Sequence, residues 1–387
     1  MQWRVPLADV NFGPEEEAAV AAVIRSGWLT MGSVTQAFEQ EFAAFVGSKH
    51  ALAVTNATAA LHLACLALGV GPGDEVIVPS LTFVASVNAI RYTGAVPLFA
   101  DIESLDWLDI SPNSIEEAIT DRTKAIMVVH YAGYACDMPA ILEIAHQHHL
   151  AVIEDAAHAV GASLNERALG TWGQIGCYSF FGNKNLTTGE GGMLVTNDDK
   201  LAEKSRILRS HGMTTLTWDR HQGHASTYDV VDLGYNYRID EMRSAMGRVQ
   251  LGRIPSGNAR RTEIVTLYRE LLADLAPQIK IPFSEARGLS SYHIMPVLLP
   301  EGADRQAFMA GMKDAGIQTS WHYPPAHTFS IYAKEWQARG KTLPVTEAVA
   351  AREVTLPLYP TMTEEQVRWV VEAITDFFRI PQNTDAT

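Results

Sequence analysis

The alternation of short apolar runs with helical segments between residues 51 and 155 constrains the fold of this chain most strongly. Residues Ala51–Val54 and the runs EVIVP, PLFAD, AIMVVHY and LAVIED predict short strands, and intervening segments such as Pro139–His149 predict helices. Strands without polar alternation are typical of a parallel sheet that is covered on both faces. The pattern therefore predicts an open α/β sheet, and ligands of such sheets bind at the carboxyl ends of the strands.

A change of composition near Leu251–Pro255 predicts a second domain. The helical pattern Ala259–Leu275 is followed by the strand-like run YHIMPVLL and by the amphipathic segment Arg305–Ala315. We therefore predict a large α/β domain over residues 1–250 and a smaller α+β domain over residues 251–387.

Composition excludes several classes of function. The formal net charge of −14 argues against nucleic acid as a partner, because phosphate neutralisation needs clustered lysine and arginine. No apolar run approaches membrane-spanning length, and MQWRVPLADV lacks the pattern of a signal peptide. The three cysteines have no CxxC spacing, which is typical of reduced buried thiols, so we expect a cytoplasmic protein without a membrane partner. The HQHH run ends a polar helix without a partner cluster, and no metal site is expected.

Lys184 lies between an aromatic run and a glycine-rich run in YSFFGNKNLTTGEGGM. Burial would lower the pKa of this amine and leave it able to attack a carbonyl, although a solvated loop lysine is the more common case. Asp155 ends the strand LAVIED, where a carboxylate can cap the following helix or point into a ligand crevice. Pyridoxal phosphate needs such a carboxylate to keep its pyridine nitrogen protonated.

Further polar and aromatic residues follow other strand ends. Asn56, Ala57 and Thr58 lie between a strand and a helix, where free N–H groups can hold a phosphate or where Asn56 and Thr58 serve only as helix caps. Ser179 could add a hydroxyl to the same phosphate. Phe83 could stack on a flat ring or belong to the core, and His158 could contact the ring or make a structural hydrogen bond.

The segments NATAALHLA, GDEVIVPSLTFVAS, IEDAAHAVGA, YSFFGNKNLTTGEGGM and LGYNYRIDEM together resemble the DegT/DnrJ/StrS aminotransferases over nearly the whole chain. The resemblance implies a fold-type-I pyridoxal-phosphate enzyme in which Lys184 bonds the cofactor and Asp155 contacts the pyridine nitrogen. The remaining roles that it implies are phosphate binding by Asn56–Thr58 and Ser179, ring contacts by Phe83 and His158, contact of Asn236 with the phosphate in the neighbouring subunit of a homodimer, and substrate contacts by Arg238, His322 and His327.

The same resemblance implies a reaction. L-Glutamate would convert pyridoxal 5′-phosphate to pyridoxamine 5′-phosphate, which would then aminate a keto-sugar, and the resemblance implies a keto-deoxysugar linked to a nucleotide. The form EDAAHAVG slightly favours a 4-keto over a 3-keto sugar, whereas the FGNKN variant departs from the usual pattern. The alternatives are amination of a cyclitol, an aminoglycoside or another antibiotic precursor, and a non-catalytic regulator of the same fold that binds the cofactor or a sugar.

Overall fold

The computed structural model describes residues 3–215 and 227–379, and its main sheet has seven strands. The strand bounds in this part of the chain are β1 His50–Val54, β2 Glu75–Pro79, β3 Val96–Ala100, β4 Thr123–Val129, β5 Ala151–Asp155, the short hairpin β6 Ser163–Leu164 and β7 Arg167–Ala168, β8 Ile175–Ser179 and β9 Gly192–Thr196. The sheet order is β1-β9-β8-β5-β4-β2-β3. Strand β9 is antiparallel to both neighbours and the other pairs are parallel, which confirms the predicted α/β class.

Helices cover both faces of this sheet. Their bounds are α1 Pro14–Ser26, α2 Ser33–Val46, α3 Ala57–Ala67, α4 Val84–Tyr92, α5 Pro112–Ala118, α6 Met138–Gln147 and α7 Asp199–Arg209. Side chains alternate between two buried cores along each strand, as Val152 and Ile153 of β5 do. The strands are therefore apolar throughout because neither face meets water.

The C-terminal part of the chain forms a two-stranded antiparallel sheet and most of a further core, to which Leu81, Ile102 and Tyr131 from the sheet region also contribute. Its elements are α8 Glu241–Leu275, β10 Met295–Leu298, α9 Arg305–Asp314, α10 Ser330–Ala338, α11 Pro344–Arg352, β11 Glu353–Leu356 and α12 Glu364–Arg379. The N-terminal Val5 joins this core and pairs with Ile317. Among the described helices, none combines the length and the apolar character that crossing a membrane requires.

The predicted boundary between residues 250 and 251 falls inside α8 and not in a linker. This helix runs without interruption through Pro255. Leu251 and Ile254 pack in the core under the sheet, whereas Ile264 and Tyr268 pack in the C-terminal core. The change of composition thus coincides with a change of packing partner along one continuous helix. The last residues of the predicted small domain, 380–387, lie outside the described residues.

Candidate active site

A cavity of about 410 Å³ opens at the carboxyl ends of the parallel strands. It brings together residues that are far apart in the sequence, and those predicted above are Asn56, Ala57, Thr58, Phe83, Asp155, His158, Ser179, Lys184 and His322. Residues not predicted for the site also line it, and they include Thr82, Phe181, Asn183, Glu190, His293 and Tyr323. The edge of the sheet thus gathers a carboxylate, an amine, hydroxyls and imidazoles around one space.

Asp155 is the last residue of β5, and only 5% of it is exposed. Its Oδ2 accepts a hydrogen bond from the Ser86 hydroxyl at 2.7 Å, and its Oδ1 accepts one from the Ala157 N–H at 3.1 Å. Burial raises the pKa of this carboxyl, while the two hydrogen bonds and the charge of Lys184 oppose the shift. Such a carboxylate suits a cationic partner that compensates for its burial.

Lys184 lies between β8 and β9, and its backbone N–H donates to the Phe181 carbonyl at 2.9 Å. Burial lowers the pKa of its amine to about 8, and the Asp155 carboxylate partly opposes this shift. About one amine in ten is then unprotonated at pH 7. Lys184 therefore provides a usable nucleophile and base near neutral pH.

The glycine run after Lys184 allows a close approach of β9 to the start of α3. A Cβ on Gly192 would lie 2.6 Å from the carbonyl carbon of Asn56 and 2.7 Å from the nitrogen of Ala57. Real side chains do not tolerate such contacts, so a residue with a Cβ would push the strand away from this turn. Glycine here keeps the strand–helix turn of Asn56 packed beside the strand that follows Lys184.

The turn at Asn56 forms the N-terminus of α3. The Asn56 side chain accepts a hydrogen bond from the Ala59 N–H at 2.8 Å, so the residue does act as a helix cap. The first N–H groups of a helix have no partner within it, and those of Ala57 and Thr58 begin this helix at the cavity. Ser179, which is buried at the end of β8, lines the same cavity. Together these groups can hold a phosphate.

The hydrogen bonds of His158 determine where its proton lies. Its Nδ1 accepts the Ala132 N–H at 3.2 Å, and its Nε2 lies 3.1 Å from the Tyr323 hydroxyl. Burial, with the charge of Lys184, holds the pKa of His158 well below its usual value, so the ring is neutral. Its single proton must then be on Nε2 and is donated to Tyr323. The hydroxyl hydrogen of Tyr323 is left to donate to a ligand.

The model of the DegT/DnrJ/EryC1/StrS aminotransferase family matches residues 11–375. The chain belongs to this family. It is 42% identical to the spore coat polysaccharide biosynthesis protein SpsC of Bacillus subtilis over 95% of each chain. The aminotransferase TlmJ of Streptoalloteichus hindustanus has a similar structure, with a TM-score of 0.89, 34% identity and coverage of 97% of this chain and 99% of TlmJ.

A further similar structure is Spr1654 of Streptococcus pneumoniae, solved in a PLP-form and a PMP-form. The PLP-form has a TM-score of 0.88 and 27% identity, and the match covers 98% of this chain and 99% of Spr1654. The protein is a PLP-dependent aminotransferase. Its cavity fits that cofactor, because it places a buried carboxylate, a helix N-terminus and an amine of lowered pKa around one space.

Three of the predicted residues of this aminotransferase do not line the cavity. His327 is buried elsewhere: its Nδ1 lies 2.7 Å from the Ser80 hydroxyl, and its ring packs 5.9 Å from that of Trp336. This position does not support the expected contact with a sugar, because these neighbours enclose the ring. Asn236 is exposed, and Arg238 pairs with Val54 at the end of β1. The contact of Asn236 with a neighbouring subunit stays a prediction.

Sequence reasoning missed several residues of the site. Ser86 lies within α4 and gives no sequence signal, because a serine in a helix has many ordinary roles. His293 stands in YHIMPVLL just before β10, and a polar residue at the start of a buried strand could have been noticed. Tyr323 directly follows the predicted His322, and the Phe83 and Tyr323 ring centroids are 5.7 Å apart.

Proposed function

We propose that this aminotransferase moves an amino group from L-glutamate to a keto-sugar, and that the sugar is linked to a nucleotide and carries its keto group at C4 in preference to C3. The observation that carries the proposal is the pairing of a buried Asp155 with Lys184 of lowered pKa in one cavity. The role of SpsC in spore coat polysaccharide biosynthesis supports a sugar as the acceptor.

Different residues around the cavity would bind different parts of the cofactor. Asp155 would hold the pyridine nitrogen, and its hydrogen bonds with Ser86 and Ala157 keep the carboxylate oriented. The turn Asn56–Thr58 and Ser179 would hold the phosphate, with Phe83 and His158 about the ring. When bound, pyridoxal phosphate supplies an electron sink that stabilises negative charge on the carbon that loses a proton.

Lys184 would transfer the proton that moves between carbon atoms during the reaction. Within each half-reaction the neutral amine takes a proton from one carbon, and the resulting ammonium gives it to another, so that the amine is restored. In the donor half-reaction the proton comes from the carbon that bears the amino group, and in the acceptor half-reaction it goes to the carbon that bore the keto group. Its pKa of about 8 allows both states to be populated near neutral pH. A protonation state that is close to balance suits a group that must act first as base and then as acid within each half-reaction.

Two further residues that line the cavity, Tyr323 and His322, are suited to bind the acceptor. The Tyr323 hydroxyl accepts from His158 and can donate its own hydrogen to a keto or hydroxyl oxygen. His322 is fixed by its Nδ1, which lies 2.7 Å from the Thr355 hydroxyl, and by its backbone N–H, which donates to Glu353 at 2.9 Å. Hydroxyl groups of a sugar need fixed polar partners of this kind.

We also propose that the active unit is a homodimer with shared sites. Asn236 and Arg238 lie near the end of β1 but outside the cavity of their own chain. The Nη1 of Arg238 is buried and has no hydrogen-bond partner among the described residues. A buried guanidinium nitrogen without a partner is costly, and an anionic group in an adjoining site would satisfy it.

The proposal is tested first with the absorbance spectrum of the purified protein, recorded before and after addition of L-glutamate. A visible cofactor band that glutamate converts to the spectrum of pyridoxamine phosphate is the expected result. A band that ignores glutamate but responds to another amino acid would refute the donor. The enzyme in its pyridoxamine phosphate form is then incubated with nucleotide-linked 4-keto and 3-keto sugars and with a keto-cyclitol. Return of the original band only with the cyclitol would refute the acceptor. A band that no amino acid changes would favour a non-catalytic regulator, and no band with added pyridoxal phosphate would refute the role of Lys184.

A further inference from the structure

His293 contacts Lys184 directly, although the reaction described above gives it no role. Only 5% of His293 is exposed, and its Nε2 lies 3.3 Å from the Lys184 Nζ. The ring centroid is 4.4 Å from that of His158. A hydrogen bond links His293 to Lys184, and its direction depends on which ring nitrogen of His293 carries the proton.

Neighbouring amides determine the orientation of Asn185, the residue after Lys184. Asn258 donates from Nδ2 to the Val160 carbonyl at 2.9 Å, so its Oδ1 is available as an acceptor. Asn185 donates from Nδ2 to that Oδ1 at 2.9 Å and to the Ser291 carbonyl at 2.7 Å. Both hydrogens of the Asn185 amide are therefore used, and its Oδ1 can only accept.

The Oδ1 of Asn185 faces the Nδ1 of His293 at 3.0 Å. Since this oxygen only accepts, the Nδ1 of His293 must carry a hydrogen. Burial holds the pKa of His293 well below its usual value, with the charge of Lys184 acting in the same direction. The neutral ring thus presents the lone pair of Nε2 to Lys184, and the lysine is the donor.

We propose that His293 is a positioning residue for Lys184. Its Nε2 accepts a hydrogen bond from the Lys184 Nζ, and Asn185 fixes the ring tautomer in which Nε2 carries no hydrogen. The proposal rests on the role of Lys184 in the proposed function. An acceptor at this place stabilises the ammonium more than the amine, so it limits the fall of the lysine pKa that burial causes. It also gives the ammonium a fixed direction during the time it holds the transferred proton.

Other charged and titratable groups surround Lys184 and His293 and influence their pKa values. Asp155 stabilises the ammonium from the end of β5, and its effect is opposite to that of burial. His158 and His322 approach from two further segments, and both have pKa values lowered by burial. Arg261 on α8 donates to the His293 carbonyl at 3.2 Å and disfavours a charge on that ring. His293 is therefore kept neutral from several sides.

The test measures the pKa of Lys184 in the full-length, cofactor-free protein. Trace acetylation with acetic anhydride from about pH 6 to 10 modifies the neutral amine, and peptide mass spectrometry gives the extent at Lys184. We expect a midpoint near pH 8 in the unaltered chain. His293→Leu should lower it by about one unit, the effect of losing a charge-assisted hydrogen bond. His293→Gln, whose amide oxygen can reach Lys184, should restore at least half of the loss.

Two further variants separate positioning from general polarity. His322→Leu removes another imidazole of the same cavity that has no hydrogen bond to Nζ in the described structure, and it should move the midpoint by less than about 0.3 unit. Asn185→Leu keeps His293 but removes the acceptor that holds the hydrogen on Nδ1, so the midpoint should fall in the same direction as in His293→Leu but by less. Circular dichroism verifies folding, and if His293→Leu does not fold, Asn185→Leu carries the test.

An unchanged midpoint in a folded His293→Leu or Asn185→Leu protein overturns the proposal, and so does an equal fall in His322→Leu. The labelling needs neither the cofactor nor a substrate. Failure of the glutamate half-reaction would therefore refute the proposed function without affecting this result, and the reverse also holds.

Discussion

The hydrogen bond between Ser86 and Asp155 provides the sharpest prediction about the cofactor site. Replacing Ser86 with alanine removes a donor 2.7 Å from Oδ2, at a place where both residues are buried and water has little access. The Ala157 N–H and Lys184 remain as stabilisers of the carboxylate. The substitution deletes a single hydroxyl, and alanine favours the helical conformation of α4 slightly more than serine does, so the helix itself is not weakened.

The size of the effect follows from the charge on the acceptor. Hydrogen bonds to ionised groups contribute about 1.5–3 kcal/mol, and we take the lower end because two other stabilisers remain. Since one pKa unit corresponds to about 1.4 kcal/mol, Ser86→Ala should raise the pKa of Asp155 by about one further unit. The acid limb of kcat/KM for the glutamate half-reaction should move up by about one pH unit, because only the carboxylate can hold a charged pyridine nitrogen.

The stability of the cofactor-free protein gives an independent measurement. Burial raises the folded-state pKa of Asp155 above its unfolded value, so its contribution is fully present at low pH and is lost as pH rises through the folded pKa. Ser86→Ala raises that pKa further. The difference in Tm between the variant and the unaltered protein should therefore be small near pH 4 and grow toward neutrality.

Ser205→Ala is the matched control. Ser205 is also a fully buried helical serine, but its hydroxyl has no hydrogen-bond partner among the described residues. This change should leave the acid limb of kcat/KM in place. If the limb of a folded Ser86→Ala protein moved by less than about 0.3 unit, or if Ser205→Ala moved it equally, our account of how Asp155 is held in its charged form would be wrong.

Further predictions concern the remaining groups of the site. Lys184→Ala should abolish turnover but keep reversible cofactor binding, which spectra and a turnover assay compare directly. Asp155→Ala should lower kcat by about 10²–10³, as loss of other electrostatic stabilisers does, and a change below about tenfold would contradict its role. Gly192→Ala should weaken cofactor binding in a fluorescence titration, because its Cβ would lie 2.6 Å from the carbonyl carbon of Asn56. Mixed dimers of Lys184→Ala and Asn236→Ala chains should regain part of the activity that each variant lacks alone, whereas unshared sites would give no gain.

The sheet and the centre of the site could be predicted because local pattern determines both. Apolar runs such as Ala51–Val54 are buried on two faces, so their ends are marked in the sequence by the first polar residues. The rule that ligands meet the carboxyl ends of parallel strands then placed Asp155 and Asn56 at one edge. The structure brings them to the same cavity as Lys184.

What could not be predicted depends on contacts between distant segments. His293 reaches Lys184 across 109 residues of sequence, and His327 reaches Ser80 across 247. The residues beside each histidine in the sequence allow many roles, and only tertiary packing separates the one that enters the cavity from the one that does not. The continuity of α8 through Pro255 is of the same kind, because proline inside a helix is unfavourable by local rules and is tolerated here within packed surroundings.

The continuity of α8 also makes the folding of the two cores interdependent. One half of this 35-residue helix supplies Leu251 and Ile254 to the core under the sheet, and the other half supplies Tyr268 to the C-terminal core. Melting of either core would strip half of the helix of its buried contacts and leave the other half as a short helix of low intrinsic stability. The cavity is lined by Asp155 from the sheet and by Tyr323 from the C-terminal part of the chain, so the active site is expected to form and to be lost in a single cooperative transition.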